Sequence, residues 1–159
     1  KDSKLNDINS FFNNCSKLSY HVINISDGGI RIIFINKSSL SNVLDNKKCL
    51  NFLKFIGYPS NYNLDKYINL LIDKLHTKDF PHEIGLLLGY PMADVQGYIL
   101  NKGRDCLLNG YWKVYSDAEG AKKIFDIYTK VRQFFVREVK NGKQFYQIPG
   151  TALAADGSL

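Results

Sequence analysis

Phe80-Pro81-His82-Glu83-Ile84-Gly85-Leu86-Leu87-Leu88-Gly89-Tyr90-Pro91-Met92-Ala93-Asp94-Val95 is the stretch in which helix-start and helix-stop chemistry follow one another most closely. Pro81 suits a first helical position and Glu83 the positive end of a helix. Ile84, Leu87 and Leu88 then fall on one apolar face. Gly89 is a natural left-handed stop, Tyr90 folds back on the preceding turn, and Pro91 starts a second helix that runs over Met92–Asn101 and closes at Gly103. The pattern predicts two helices between Glu83 and Gly103, joined at Gly89-Tyr90-Pro91, with Gly89 at positive φ.

Upstream, Ile56-Gly57-Tyr58-Pro59 repeats the pattern of Leu88-Gly89-Tyr90-Pro91. The flanks agree poorly, so the echo reads as one helix-stop device used twice and not as a duplicated module. Ser38–Asn46 and Lys48–Ile56 read as short helices. Asn63–His76 reads as a longer one, with Leu64, Tyr67, Ile68, Leu71, Ile72 and Leu75 at core-facing spacing. Lys17–Lys37 reads as a β-hairpin: Leu18, Tyr20, Val22 and Ile25 lie in one strand and Ile30, Ile32, Ile33, Phe34 and Ile35 in the other. Asp27-Gly28-Gly29 supplies the turn between them and is no phosphate loop. Two strands alone are unstable, so the hairpin must pack on helices or join further strands.

Downstream, Tyr111-Trp112-Lys113-Val114-Tyr115 has strand composition. Ser116 with Glu119 forms a capping box for a helix reaching about Lys140. Ala121, Ile124, Phe125, Tyr128, Val131, Phe135 and Val139 form its apolar face, and Lys122, Lys123, Lys130, Arg132 and Arg137 its solvated side. Asn141-Gly142-Lys143 turns the chain into a short strand at Phe145–Ile148. Thr151–Leu159 holds three of the six alanines in the chain and reads as a vector-derived or unrelated tail. The fold class expected is α+β: a helix-rich single domain over residues 1–150, with an N-terminal hairpin at about Lys17–Lys37 packed on helices and extended by strands near Tyr111–Tyr115 and Phe145–Ile148.

A chain of 159 residues with 45% apolar and 23% charged residues can bury its own core. No apolar run approaches the roughly 18 residues of a membrane span, and Lys1-Asp2-Ser3-Lys4 is no signal-peptide start. Cys15, Cys49 and Cys106 are odd in number and form no C-x-x-C pair. They read as reduced, buried thiols of a cytoplasmic protein, not as a disulfide or zinc framework. The net charge of +6 suits a polyanion partner and solubility equally. Asn, Lys, Ile and Tyr are abundant as in translations of AT-rich genomes, which weakens any inference from basicity.

The sequence resembles the domain-of-unknown-function family 3793 of anaerobic Gram-positive bacteria. Phe80 to Pro91 carry that resemblance, followed by Asp94-Val95, Gly97, Ile99, Asn101, Gly103, Gly110-Tyr111-Trp112-Lys113-Val114-Tyr115, Phe125 and Tyr128. It extends over roughly Leu18 to Val136. Members usually open with a further segment containing His, Cys and Pro that is not found here, and Ser116 stands where Gly is commoner. The resemblance implies no established activity.

His82-Glu83 falls short of a metalloprotease motif because Leu86 stands where the second His belongs. His82 and Glu83 remain candidate acid/base residues at a helix start, against the plainer reading of a histidine bonded to neighbouring backbone. Gly85, Gly89 and Gly97 are spaced for close packing, not for cradling phosphates. No metal or cofactor is expected, since scattered Cys and His offer no ligand cluster.

Three functional readings remain. The first is a non-catalytic binding or regulatory module using Tyr90, Tyr98, Trp112 and Lys113. The second is a small-molecule enzyme with a site around His82, Glu83, Lys102, Arg104, Trp112 and Lys113. The third is helix-turn-helix DNA binding over Glu83–Ile99, where Ile84, Gly85, Leu88, Gly89 and Val95 have suitable spacing. Its second helix would offer the groove only Met92, Ala93, Asp94 and Gln96, a poor recognition surface. Elimination ranks the binding module first. Its partner would be a protein or small molecule, with nucleic acid bound only weakly and without sequence preference, and no membrane.

Overall fold

A computed structural model of the chain describes residues 8, 18–25, 29–61, 63–77, 80–143 and 148. The fold is α+β. Strand β1 (Ser19–Asn24) pairs antiparallel with β2 (Ile30–Ile35), Ser19 opposite Ile35 and Asn24 opposite Ile30. Strand alternation turns Ile23 and Ile35 inward, 0% and 5% exposed, while Val22 and Phe34 on the other face are 40% and 49% exposed. Asp27 and Gly28 of the expected turn lie outside the described residues. The Ile25 N–H donates to the Gly29 carbonyl across it at 3.0 Å.

Three helices follow: α1 (Lys37–Leu44), α2 (Lys47–Phe55) and α3 (Leu64–His76). Each is capped by an asparagine whose side chain accepts a backbone N–H of the first turn: Asn36 for α1, Asn46 for α2 and Asn63 for α3. Asparagines that compositional bias alone would supply are thus used as helix starts. They move α1 and α2 one residue earlier than the apolar spacing places them. The α3 stripe is core, with Tyr67, Ile68, Leu71 and Leu75 buried. Ile23 packs on Leu71 and Leu75, and the Arg31 guanidinium donates to the Leu75 carbonyl at 2.9 Å, which fixes the hairpin on α3.

Helix α4 (Ile84–Leu87) is a single turn and α5 (Met92–Leu100) is longer. Glu83 stands outside α4. The amides of Ile84, Gly85 and Leu86 bond three residues back to Pro81, His82 and Glu83, so the entry is a tight turn. Gly89 lies at φ 82° and Gly57 at φ 99°. At each stop the following tyrosine N–H reaches five residues back, Tyr90 to Gly85 at 2.8 Å and Tyr58 to Leu53 at 3.0 Å. This is one Schellman device used twice. A Cβ at Gly89 would meet nothing within 4 Å, so only backbone strain opposes a side chain there. Gly89→Val should therefore cost about 1 kcal/mol, read as a lower urea midpoint with unchanged m-value.

Strands β3 (Leu108–Asn109) and β4 (Lys113–Val114) pair with each other as a separate two-stranded sheet, so they do not extend the first hairpin as expected. The strand at β4 is shorter than Tyr111–Tyr115 because Tyr115 and Ser116 turn their amides toward Asp94. Of the strand expected at Phe145–Ile148, residues 145–147 lie outside the described residues, and Ile148 is buried. Helix α6 (Ala118–Lys140) is capped by Asp117, which accepts the Gly120 N–H at 2.9 Å. The expected cap Ser116 instead gives its hydroxyl to Asp94.

Ile35, Leu40, Leu44, Leu53, Tyr67, Leu86 and Val95 bring β2 and α1 to α5 into one core. Trp112, Val114 and Ala121 form a smaller cluster under β4 and the start of α6. Tyr90 packs against both. Along α6 the expected apolar face is buried only at Ala121; Ile124, Tyr128 and Val139 are 38%, 43% and 50% exposed. Periodicity reported an amphipathic helix there without reporting how much of it would be covered.

Candidate functional site

The seam between the two clusters opens as a cleft of about 440 Å³. One wall is the Phe80–Ile84 segment with Tyr98 of α5, the other is the tip of the β3–β4 hairpin from Asn109 to Lys113, and Tyr90 and Trp112 lie in the floor. Tyr90 stacks on the Trp112 indole at 5.0 Å between ring centres, and Phe125 of α6 meets the indole edge-on at 4.5 Å. Trp112 is 8% exposed, so the rings left to face a ligand are those of the rim. There the His82 imidazole packs against Tyr98 at 4.9 Å and Phe80 at 6.2 Å, with Tyr111 across the opening.

Glycine permits this closure. A Cβ at Gly110 would fall 2.2 Å from the Phe125 ring, and one at Gly85 would fall 2.9 Å from Val95 Cγ2. Both residues serve packing, as their spacing implied for Gly85.

The floor is held by Asp94, which is 2% exposed. Its Oδ2 accepts the Trp112 indole N–H at 2.8 Å. Its Oδ1 accepts the backbone N–H groups of Tyr115 and Ser116 at 2.8 and 3.0 Å and the Ser116 hydroxyl at 2.8 Å. Burial alone would raise the carboxyl pKa, but these donors together outweigh it and hold it below the ordinary aspartate range. With four donors on its two oxygens, the carboxylate is a structural pin for the hairpin.

His82 and Glu83 are adjacent in sequence but belong to different surroundings. His82 is exposed at the rim. Glu83 is 7% exposed and turned away, accepting from Lys74 Nζ at 2.5 Å and from the Tyr58 hydroxyl at 3.4 Å. Lys74 also lies 4.7 Å from the centre of the Tyr58 ring. Burial first, and then the Glu83 carboxylate, push the Tyr58 phenol well above its ordinary range. Glu83 thus ties α3 to α4 and does not form a pair with His82.

Of the other candidates, Tyr90, Tyr98, Trp112 and Lys113 meet in the cleft, while Lys102 and Arg104 are exposed and outside its lining. Lys102 takes the left-handed position at the end of α5, φ 51°, beside Gly103. Lys113 Nζ donates to the Gly103 carbonyl at 2.5 Å, joining the hairpin to that turn. Among the described residues no group of three or more His, Cys, Asp and Glu side chains comes together to hold a metal. No helix there is long and apolar enough to cross a membrane. Cys49 is buried, and burial raises its thiol pKa; Cys106 is half-buried.

The same geometry lends no support to the helix-turn-helix alternative. The first helix is a single turn, and Asp94, expected to face a groove, points inward with Val95. Sequence reasoning missed Asp94 as an anchor, because its partners stand 18 to 22 residues away and only the density of shared residues around both segments hinted at contact.

A family model described as "Protein of unknown function (DUF3793)" matches residues 1–149, well beyond the span in which the motifs concentrate, and the chain belongs to that family. No curated protein and no solved structure matches it.

Proposed function

We propose that this family member is a non-catalytic binding module of the bacterial cytoplasm whose ligand presents a flat, apolar-faced ring to the cleft between Phe80–Tyr98 and the β3–β4 hairpin. The observation that carries this reading is the aromatic rim of Phe80, His82, Tyr98 and Tyr111 over a packed floor of Tyr90 and Trp112, around a volume in the range of small-ligand sites. A non-catalytic role is supported by Asp94, whose carboxylate holds four donors of the hairpin and the turn after it, and by Glu83, which is turned into an ion pair with Lys74. The cleft therefore offers His82 no carboxylate partner for acid/base work. The cytoplasmic assignment is supported by the odd number of cysteines and the absence of a C-x-x-C pair.

Trp112 is the sole tryptophan of the chain and lines the cleft, so its emission reports occupancy directly. Titration with adenosine and with quinoline, two flat neutral rings, should change that emission saturably. Tyr98→Ala should weaken binding by about tenfold, or about 1.4 kcal/mol, the scale of one lost stacking partner. A flat response to both probes would sink the proposal.

A further inference from the structure

A second cavity of about 630 Å³ runs along α6, lined by Tyr111, Thr129, Arg132, Gln133, Arg137 and Lys140 among others. Tyr111 lines this groove and the aromatic cleft alike, so the two meet at its ring. That ring is 42% exposed and braced from below by Phe125 at 5.6 Å and Tyr128 at 5.2 Å, with its hydroxyl 3.2 Å from Thr129 Oγ1. The chemistry on its two sides differs. The cleft side is ring-lined, and its carboxylate, Asp94, is occupied by four donors. The groove side holds three cations and no carboxylate among its lining residues. Arg137 contacts Glu138 only at 3.5 Å, and Arg132 and Lys140 have no ion-pair partner among the described residues.

Rings that accept any flat face, continued by a groove of guanidinium and ammonium groups, match a ligand in which a heteroaromatic base is tethered to phosphates. We infer that cleft and groove form one nucleotide-type site, with the base against Tyr98 and His82 and the phosphates passing Tyr111 toward Arg132, Arg137 and Lys140. This inference rests on the proposed use of the cleft and adds the charge and extent of the ligand. The shared chemistry is a base joined to phosphate, from a free nucleotide or from a single-stranded nucleic acid.

Titrations of the full chain, read by Trp112 emission, compare adenosine, ATP and a hexadeoxyadenylate single strand. The phosphate-bearing probes should bind at least about tenfold more tightly than adenosine at low salt. Three neutralised phosphates predict that a fourfold rise in salt weakens the single strand by about eighteenfold while leaving adenosine unmoved. The double variant Arg132→Glu, Lys140→Glu should erase the advantage of ATP and of the single strand yet keep adenosine binding, which also reports an intact fold. Tighter binding of the single strand than of ATP identifies nucleic acid as the source, and the reverse order identifies a free nucleotide; either order upholds the shared chemistry. Equal affinity for adenosine and ATP, or an undiminished ATP advantage in the double variant, overturns the nucleotide inference and leaves the aromatic cleft standing. Silence of Trp112 toward all three probes overturns both.

Discussion

Asp94→Ala is expected to destabilise the protein by about 3 kcal/mol or more, a large share of the roughly 5–15 kcal/mol that holds a domain of this size folded. The substitution removes one acceptor but strands four donors: the Trp112 indole N–H, the Tyr115 and Ser116 amides and the Ser116 hydroxyl. Bonds to a charged acceptor count for more than neutral ones, and a buried donor left without a partner costs more than the bond was worth. The Trp112 and Tyr115 donors sit in a packed seam where water does not readily replace the carboxylate. Urea unfolding followed by Trp112 emission measures the loss, and a change under about 0.5 kcal/mol would contradict the pin. Asp94→Asn keeps the shape and one carbonyl oxygen, so it should lie between the parent and the alanine variant.

The same anchor sets a pH dependence with a definite sign. The folded-state pKa of Asp94 is lowered, so across the window between the folded and unfolded values the unfolded chain holds more protons than the folded one. Its contribution is complete above the unfolded aspartate value, near pH 4, and is lost as pH falls through the folded value. Asp94→Asn should abolish that part of the acid sensitivity. If the parent and the Asn variant lose stability in parallel below about pH 4, the shift belongs to other carboxylates.

The helix stops were legible because their cause is local: Gly57 and Gly89 take the backbone angle that other residues resist, and the next tyrosine closes the turn. The meeting of His82, Tyr90, Tyr98, Trp112 and Lys113 was legible only as a concentration of family-like residues, since no short-range rule brings an 80s turn to a hairpin tip. The roles of Glu83 and Asp94 were not legible. An acid near a helix N-terminus ordinarily reads as a favourable charge in the macrodipole, and nothing within one turn reveals that these two are buried against Lys74 and Trp112. The start of α6 failed for a related reason. Ser116 satisfies the capping pattern, but a buried carboxylate competes for its hydroxyl and wins, leaving the cap to Asp117.

Gly97→Ala sets two effects of opposite sign against each other. Inside α5, alanine should help by about 1 kcal/mol through helix propensity alone. A Cβ at that position, however, would lie 2.5 Å from Tyr115 Cβ and 2.5 Å from its Cγ. A χ1 change can move Cγ, but Cβ is fixed by the backbone, so no rotamer change clears that contact. The Tyr115 backbone cannot readily give way either, because its N–H is committed to Asp94. The helix and the turn after β4 must therefore separate, which loosens the Asp94 bonds as well, and overpacking of this kind costs about 1–3 kcal/mol before that secondary loss. The contact term and the damaged anchor together exceed the propensity gain, and a net loss of about 2 kcal/mol is expected. Tyr115→Phe is the control. The Tyr115 hydroxyl is buried without a hydrogen-bond partner among the described residues, so deleting it should leave the urea midpoint unchanged or raise it. A Gly97→Ala variant as stable as the parent would mean that α5 and Tyr115 are not in the close contact that seats the floor of the cleft.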